Sequence, residues 1–289
     1  MRIYKPILLS IAFFASLAFV ADNPAKNLEK SLLWKIEGKN GKTSYLFGTI
    51  HLISSDNFFM PAKAEKAFAA CDFLMMELDI SNQTEMMSMM KYANMADGQT
   101  IDKLVSKEDY TLLDSTLQAE TGMGMALFNT FKPFIIESML IQKMIDGDLK
   151  SYEAVFAEMS AETEKPIVAL ETVKQQMELF DDLPYNEQMT DLMKYVKGDE
   201  DTKALFKEMV DMYIAEDVSS LYNYMDDYFP DKIWMEKLLF SRNATWVPKI
   251  ENALQENSLF IAVGAGHLGG DKGLINLLRE AGYKVKAVK

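Results

Sequence analysis

Residues 258–267 carry the sequence Ser-Leu-Phe-Ile-Ala-Val-Gly-Ala-Gly-His, an apolar run that ends in a Gly-x-x-His turn. A short continuous apolar run of this kind predicts a strand that is buried on both faces, as in a parallel sheet. A helical pattern over 272–281 and a second apolar run over 283–288 follow it. The carboxyl-terminal end therefore predicts the order strand, turn, helix, strand.

The amino-terminal part repeats this order around a second Gly-x-x-His sequence, Gly48-Thr49-Ile50-His51. Its predicted elements are a strand at 33–37, an Asn-Gly turn at 38–42, a strand at 44–47, a helix at 61–70 and a strand at 73–78. Two units of one plan, joined through helical sequence, predict an α/β fold with a partly parallel central sheet.

Between the two units the sequence is mostly helical. The segments at about 84–160 and 186–255 have helical period and predict a large helical insert or cap, and residues 166–170 predict a buried strand between them. In open α/β sheets, sites gather at the carboxyl ends of strands. Both histidines follow strands at such an end, so we expect them to share one cavity.

The first residues differ from the rest. Arg2 and Lys5 precede an apolar stretch that ends near Asp22, which predicts a secretory signal peptide at 1–21 and a folded domain at 22–289. An uncleaved anchor is the alternative. With the leader removed, no stretch is long and apolar enough to span a membrane. We expect an exported protein, periplasmic or secreted.

Charge narrows the possible partners. The formal net charge is −13, and loss of Arg2 and Lys5 with the leader would make it more negative, which argues against nucleic acid and anionic lipid. The single cysteine, Cys71, cannot form an internal disulfide and is predicted to be a small buried side chain. The oligomeric state is left open.

The candidate chemistry rests on two histidines and one carboxylate. His51 and His267 are the two histidines of the chain, and Glu77 lies in an otherwise apolar strand, where a carboxylate is costly unless it is paired. Two imidazoles and a carboxylate suit Mn²⁺, Co²⁺ or Zn²⁺. Without a metal, the same trio can act on water as base and orienting acid. Glu171, also at a strand end, is an additional candidate.

Several ordered motifs resemble the TraB/GumN family, which is similar to the Tiki metalloproteases and more remotely to erythromycin esterases. They are 46–52 around His51, the strand with Glu77, Ala169-Leu170-Glu171-Thr172 with Gln175-Gln176, Arg242-Asn243, and 263–270 with Gly273-Leu274. The resemblance covers nearly all of the chain after the leader. It implies a site built from both histidines, Glu77, Arg242 and Asn243. On residues alone, Arg242 is either a clamp for a substrate oxyanion or a solvated helix residue.

The leader and the site residues predict an exported hydrolase, and the resemblance to Tiki metalloproteases implies a divalent-metal-dependent peptidase acting on a peptide or protein substrate. Two alternatives stay open. One is a metal-free, esterase-like hydrolase. The other is a protein with the same fold that binds a metal or peptide without turnover.

Overall fold

A computed structural model describes residues 28–39, 41–198, 202–228 and 232–289. The leader predicted at 1–21 and Asn40 of the predicted turn lie outside these residues. The described residues on either side of Asn40 turn as expected. Gly41 has a φ of +81°, and its N–H donates to the Gly38 carbonyl at 3.2 Å.

Most strands of the described residues belong to one sheet, which confirms the predicted α/β class. Its order is β6-β4-β7-β2-β1-β8. The neighbours from β6 to β2 are parallel, and β1 pairs antiparallel with β2 and β8. Strands β3 and β5 form a separate antiparallel pair. The strands are β1 Leu33–Glu37, β2 Thr43–Thr49, β3 Ile53–Ser54, β4 Phe73–Met76, β5 Leu149–Lys150, β6 Ile167–Ala169, β7 Leu259–Gly264 and β8 Lys284–Ala287.

Helices occupy the segments predicted to be helical, but a further helix at Val173–Leu179 was not predicted, and the short strand Leu149–Lys150 lies inside the first predicted helical segment. None of the described helices is long and apolar enough to cross a membrane. A five-residue π-turn, Glu236–Phe240, joins the tenth and eleventh helices. The helices are α1 Ala62–Ala69, α2 Gln83–Tyr92, α3 Lys107–Thr121, α4 Pro133–Met144, α5 Tyr152–Glu162, α6 Val173–Leu179, α7 Tyr185–Lys197, α8 Thr202–Ile214, α9 Val218–Tyr228, α10 Lys232–Met235, α11 Ser241–Leu254 and α12 Leu274–Glu280.

The central strand β7 is the best-buried part of the sheet. Its first five residues are all buried, because parallel strands flank it on both edges and side chains cover both faces. Phe260 packs among aromatic rings, with centroid separations of 6.0 Å to Phe47, 5.5 Å to Phe68 and 5.0 Å to Phe156. This packing fixes the strand that leads to His267.

The helical segments serve two purposes. Helices α5 and α11 bury Tyr152, Phe156, Trp246 and Ile250 in the same core as the sheet. Helices α3, α4 and α7 instead pack with one another in a second apolar cluster. The sequence segments called a cap thus contain helices that cover the sheet as well as a separate helical layer. The domain limits drawn from the sequence stay a prediction.

The predicted burial of one strand is wrong. Residues 166–170 were expected to form a buried strand, but β6 has three residues and Val168 is 36% exposed. The reason is its position at the edge of the sheet, where β4 is its neighbour on one side only. Leu170, just beyond the strand, is buried.

Candidate active site

Three adjacent parallel strands end at the same edge of the sheet. In the register, Thr49 of β2 lies beside Gly264 of β7, and Met76 of β4 lies beside Ala262. His51 follows β2, Glu77 follows β4 and His267 follows β7, so the topology brings all three to one edge. This is the convergence that the repeated strand-to-histidine pattern predicts.

The three side chains meet above Gly264. A Cβ atom placed on Gly264 would lie 3.4 Å from Glu77 Oε1, 3.6 Å from His267 Cδ2 and 3.7 Å from His51 Nε2. Both imidazoles therefore lie beside one point at the end of β7. Glycine at this position keeps the space between the three groups open.

His267 is buried and held as a neutral ring. Asn243 Nδ2 donates to two carbonyls, those of His267 at 3.2 Å and Lys272 at 2.9 Å. Asn243 Oδ1 is then the acceptor for His267 Nδ1, 2.7 Å away, so the proton of the neutral ring lies on Nδ1. Burial lowers the pKa of His267 to about 3, the charges of Arg242 and His51 act in the same direction, and Glu77 opposes them.

Arg242 links Glu77, Glu171 and His267. Its Nε donates to Glu171 Oε1 at 3.0 Å, and its Nη2 donates to Glu171 Oε2 at 3.0 Å and Glu77 Oε2 at 2.5 Å. Its Nη1 donates to the Leu238 carbonyl at 2.8 Å and to His267 Nε2 at 3.1 Å. Every N–H of the guanidinium is thereby engaged. The arrangement favours an organising role for Arg242 over the substrate clamp considered from the sequence.

The helix that carries Arg242 and Asn243 begins after the π-turn. In that turn the Ser241 N–H bonds back to the Glu236 carbonyl, five residues earlier. Such turns recur at functional sites because they alter the hydrogen-bond ladder locally. The guanidinium also lies 4.7 Å from the centre of the Trp246 ring, whose Nε1 donates to Glu171 at 2.7 Å. Glu171 is therefore the second anchor of Arg242.

Glu77 is ionised in this setting. Its Oε1 accepts from the Gly264 N–H at 2.9 Å, and its Oε2 accepts from Gln176 Nε2 at 3.1 Å as well as from Arg242. Burial raises the pKa of Glu77, whereas interactions with His267, Arg242 and His51 lower it, to about 2. Because the His267 ring is neutral at pH 7, we attribute most of the lowering to Arg242.

His51 is the exposed histidine of the pair, with 69% of its side chain accessible. Its Nδ1 donates to Glu153 Oε1 at 3.0 Å, and Thr49 Oγ1 donates to the same oxygen at 2.7 Å. Desolvation lowers the pKa of His51, but the hydrogen bond and charge of Glu153 outweigh it and raise the pKa to about 9. Solvent screens both effects at so exposed a ring. Glu153 was not predicted from the sequence, because a carboxylate in a helix 102 residues away carries no local signal.

His51, His267 and Glu77 do not fit a divalent metal while Arg242 donates to His267 and Glu77. Among the described residues, no three His, Cys, Asp or Glu side chains form a group suited to hold an ion. His267 presents Cδ2 to the open point above Gly264, and its Nε2 accepts from Arg242. A tripodal site needs three donors at about 2 Å from one ion. His267 Nε2 also lies 3.7 Å from Glu77 Oε1, but it accepts from Arg242, which leaves His51 Nε2 and Glu77 Oε1 as the two donors directed at the point.

Comparison with known proteins identifies the class of α/β protein to which this fold and site belong. The TraB/PrgY/gumN family matches residues 32–287, and the chain belongs to that family. The resemblance noted from the motifs is thus confirmed. No solved structure matches the chain.

Its curated relatives are distant. It is 22% identical to Metalloprotease TIKI1 of Xenopus tropicalis, over 98% of this chain and 68% of that protein. It is 21% identical to human Metalloprotease TIKI1, over 91% of this chain and 63% of that protein. It is 23% identical to Uncharacterized protein YbaP of Escherichia coli K12, over 81% of this chain and 87% of that protein. The chain thus spans about two thirds of the length of the Tiki relatives.

Proposed function

We propose that this chain is a hydrolase that cleaves peptide bonds with a water held between His51 Nε2 and Glu77 Oε1. The observation that carries the proposal is the convergence of these two atoms on the open point above Gly264. The relationship to Tiki metalloproteases supports a peptide or protein substrate. The asymmetric bonding of the two histidines supports different roles for them.

In this mechanism the neutral form of His51 accepts a proton from water as the water oxygen attacks the peptide carbonyl carbon, so the raised pKa of His51 makes cleavage faster as the pH rises toward 9. The proton then passes to the leaving nitrogen as the C–N bond breaks, which gives a carboxylic acid and an amine. Glu77 accepts a hydrogen bond from the second O–H of the water and so holds the water oxygen in place. His267, Asn243 and Arg242 fix Glu77 and the turn after β7 through the bonds described above.

A metal-dependent peptidase is the second candidate, and the named activity of the Tiki relatives favours it. His51, His267 and Glu77 would be its ligands, with Mn²⁺, Co²⁺ or Zn²⁺ preferred by this donor chemistry. His267 Nε2 would first have to lose its bond to Arg242. The remaining alternatives are an esterase-like hydrolase and a protein that binds a peptide without turnover.

A peptide-library cleavage assay separates these functions. Protein purified without chelator or affinity-tag metal is assayed directly, after chelation, and with Mn²⁺, Co²⁺ and Zn²⁺ added back singly; His51→Gln is the inactive control. Full activity after chelation supports the His51–Glu77 mechanism. Loss on chelation and recovery with one ion overturns it in favour of the metal-dependent peptidase. No cleavage under any condition, with retained peptide binding, overturns the hydrolase.

We also propose export to the periplasm or medium, on the basis of the leader predicted at 1–21. Amino-terminal sequencing of exported protein is expected to begin close to Phe19 or Asp22. Recovery of the intact leader in a membrane fraction would mean anchoring.

A further inference from the structure

We propose that Glu153, contributed by the helical middle of the chain, is a positioning residue that selects the proton-transfer nitrogen of His51. By holding the Nδ1–H it leaves Nε2 directed at the point above Gly264 that Glu77 also faces. This inference rests on the proposed function, because it assigns His51 the role of proton carrier.

The carboxylate is itself held from two sides. Oε1 accepts from His51 Nδ1 and from Thr49 Oγ1, and Oε2 accepts from Ser151 Oγ at 2.9 Å. Thr49 is the last residue of β2, and Ser151 caps the start of α5. The carboxylate therefore connects the end of the strand that leads to His51 with the beginning of the helix that carries Glu153.

The backbone at Glu153 is fixed by its buried neighbours. Tyr152 is fully buried, its hydroxyl donates to the Phe59 carbonyl at 2.5 Å, and its ring packs 5.8 Å from that of Phe47. Phe156, one turn later, lies in the same core. A carboxylate anchored in this way can define the orientation of an otherwise exposed ring.

The two histidines have chemically different partners on Nδ1. The buried His267 bonds to the amide oxygen of Asn243, whereas the exposed His51 bonds to a carboxylate. An amide oxygen suits a ring that stays neutral. A carboxylate stabilises the positive charge that a ring gains when it accepts a proton, and it fixes the tautomer. The difference points to His51 as the histidine that carries the proton.

The electrostatics of Glu153 agree with this assignment. Burial raises its pKa, but the hydrogen bond and charge of His51 and the hydrogen bond of Thr49 lower it below its ordinary value. Glu153 is therefore ionised at neutral pH and available as an acceptor.

The test uses Glu153→Ala and Glu153→Gln, with Glu158→Gln as the matched control, because Glu158 lies on the same helix and is exposed. The chain contains two histidines, so ¹⁵N-edited imidazole spectra contain two ring systems, and His51→Gln assigns them. In Glu153→Ala we expect the His51 Nδ1–H signal to vanish, while the His267 Nδ1–H signal, protected by Asn243, remains. In Glu153→Gln the His51 Nδ1–H signal is expected to shift but persist, since the glutamine amide oxygen still accepts a hydrogen bond from it.

Kinetics provide the second measurement. We expect kcat to fall about 100-fold in Glu153→Ala with KM within about threefold, and Glu153→Gln to fall less. An equal loss of kcat in the Glu158→Gln control overturns the proposal. An unchanged His51 Nδ1–H signal in Glu153→Ala overturns it as well. If the native protein shows no hydrolysis, the proposed function fails, whereas the spectra still decide whether Glu153 positions His51.

Discussion

At position 264 the side chain is a single hydrogen atom, and the space it leaves lies between Glu77, His267 and His51. Gly264 has a φ of −50°, and an added Cβ would make ordinary contacts of 3.4 to 3.7 Å, so alanine fits there without strain. The methyl group would project into the space between the three side chains and crowd a water held by His51 Nε2 and Glu77 Oε1. We predict that Gly264→Ala folds with an unchanged melting temperature and lowers kcat/KM about 100-fold or more. Native-like turnover in a folded Gly264→Ala protein would show that the attacking water does not lie at this point.

Glu77→Gln tests the carboxylate itself. Glutamine keeps the volume of the side chain and removes its charge, which the proposed mechanism needs, and the structure also places Glu77 in a buried ion pair with Arg242. We expect loss of hydrolysis together with a decrease of about 1–3 kcal/mol in the free energy of unfolding, because Arg242 keeps Glu171 as its second partner. Urea unfolding and the cleavage assay measure both effects. The exposed Glu178→Gln is the control, and turnover in Glu77→Gln would exclude Glu77 from the mechanism.

Residues with an unusual local context were the ones that the sequence could identify. Glu77 interrupts an apolar strand, and each histidine follows a Gly-x-x pattern. Arg242 and Asn243 have no such context and were found through the family resemblance. Glu153 was found by neither route, because its partners Thr49 and His51 are about a hundred residues away and are brought to it by the packing of α5.

Among the elements, β6 shows what a local pattern leaves undetermined. Its apolar composition predicts burial, yet it forms the edge of the sheet with Val168 partly exposed. We predict that Val168→Lys changes the free energy of unfolding by less than about 0.5 kcal/mol. Ile261→Lys in the central strand β7, fully buried, is expected to prevent folding, because a buried unpaired charge is too costly. Denaturant unfolding compares the two; strong destabilisation by Val168→Lys would show that another surface covers β6.

The ends of strands and helices were predicted closely where a proline or glycine marks them. The strand expected at 258–263 forms Leu259–Gly264, and the helix expected at 61–70 forms Ala62–Ala69 after Pro61. The strand expected at 73–78 ends at Met76, because the chain turns there to direct Glu77 toward Gly264. Helical period indicates that an apolar face exists, but it does not state which surface the face covers. The division between sheet-covering helices and the separate helical layer was therefore unpredicted.

At the scale of the whole molecule, burying a neutral histidine ties folding to pH. Burial lowers the pKa of His267 to about 3, from an ordinary value of 6.5 that the unfolded chain retains. Below pH 6.5 the unfolded chain therefore binds a proton that the folded protein does not. The stability that this ring contributes is complete above pH 6.5 and is lost as the pH falls toward 3.

The window between pH 6 and 5 shows this effect most clearly. There His51, whose pKa is raised, is protonated in the folded protein and largely protonated in the unfolded chain, whose histidines titrate near pH 6.5, and the carboxyl groups of the unfolded chain titrate mainly at lower pH. With two histidines in the chain, we predict that the free energy of unfolding falls by up to about 1.4 kcal/mol per pH unit, equivalent to uptake of one proton. Urea titrations at pH 6, 5.5 and 5 measure the slope, and His267→Gln should flatten it. If that variant does not fold, the slope of the native protein remains decisive, since a flat profile would mean that His267 is protonated in the folded state and that Arg242 does not donate to its Nε2.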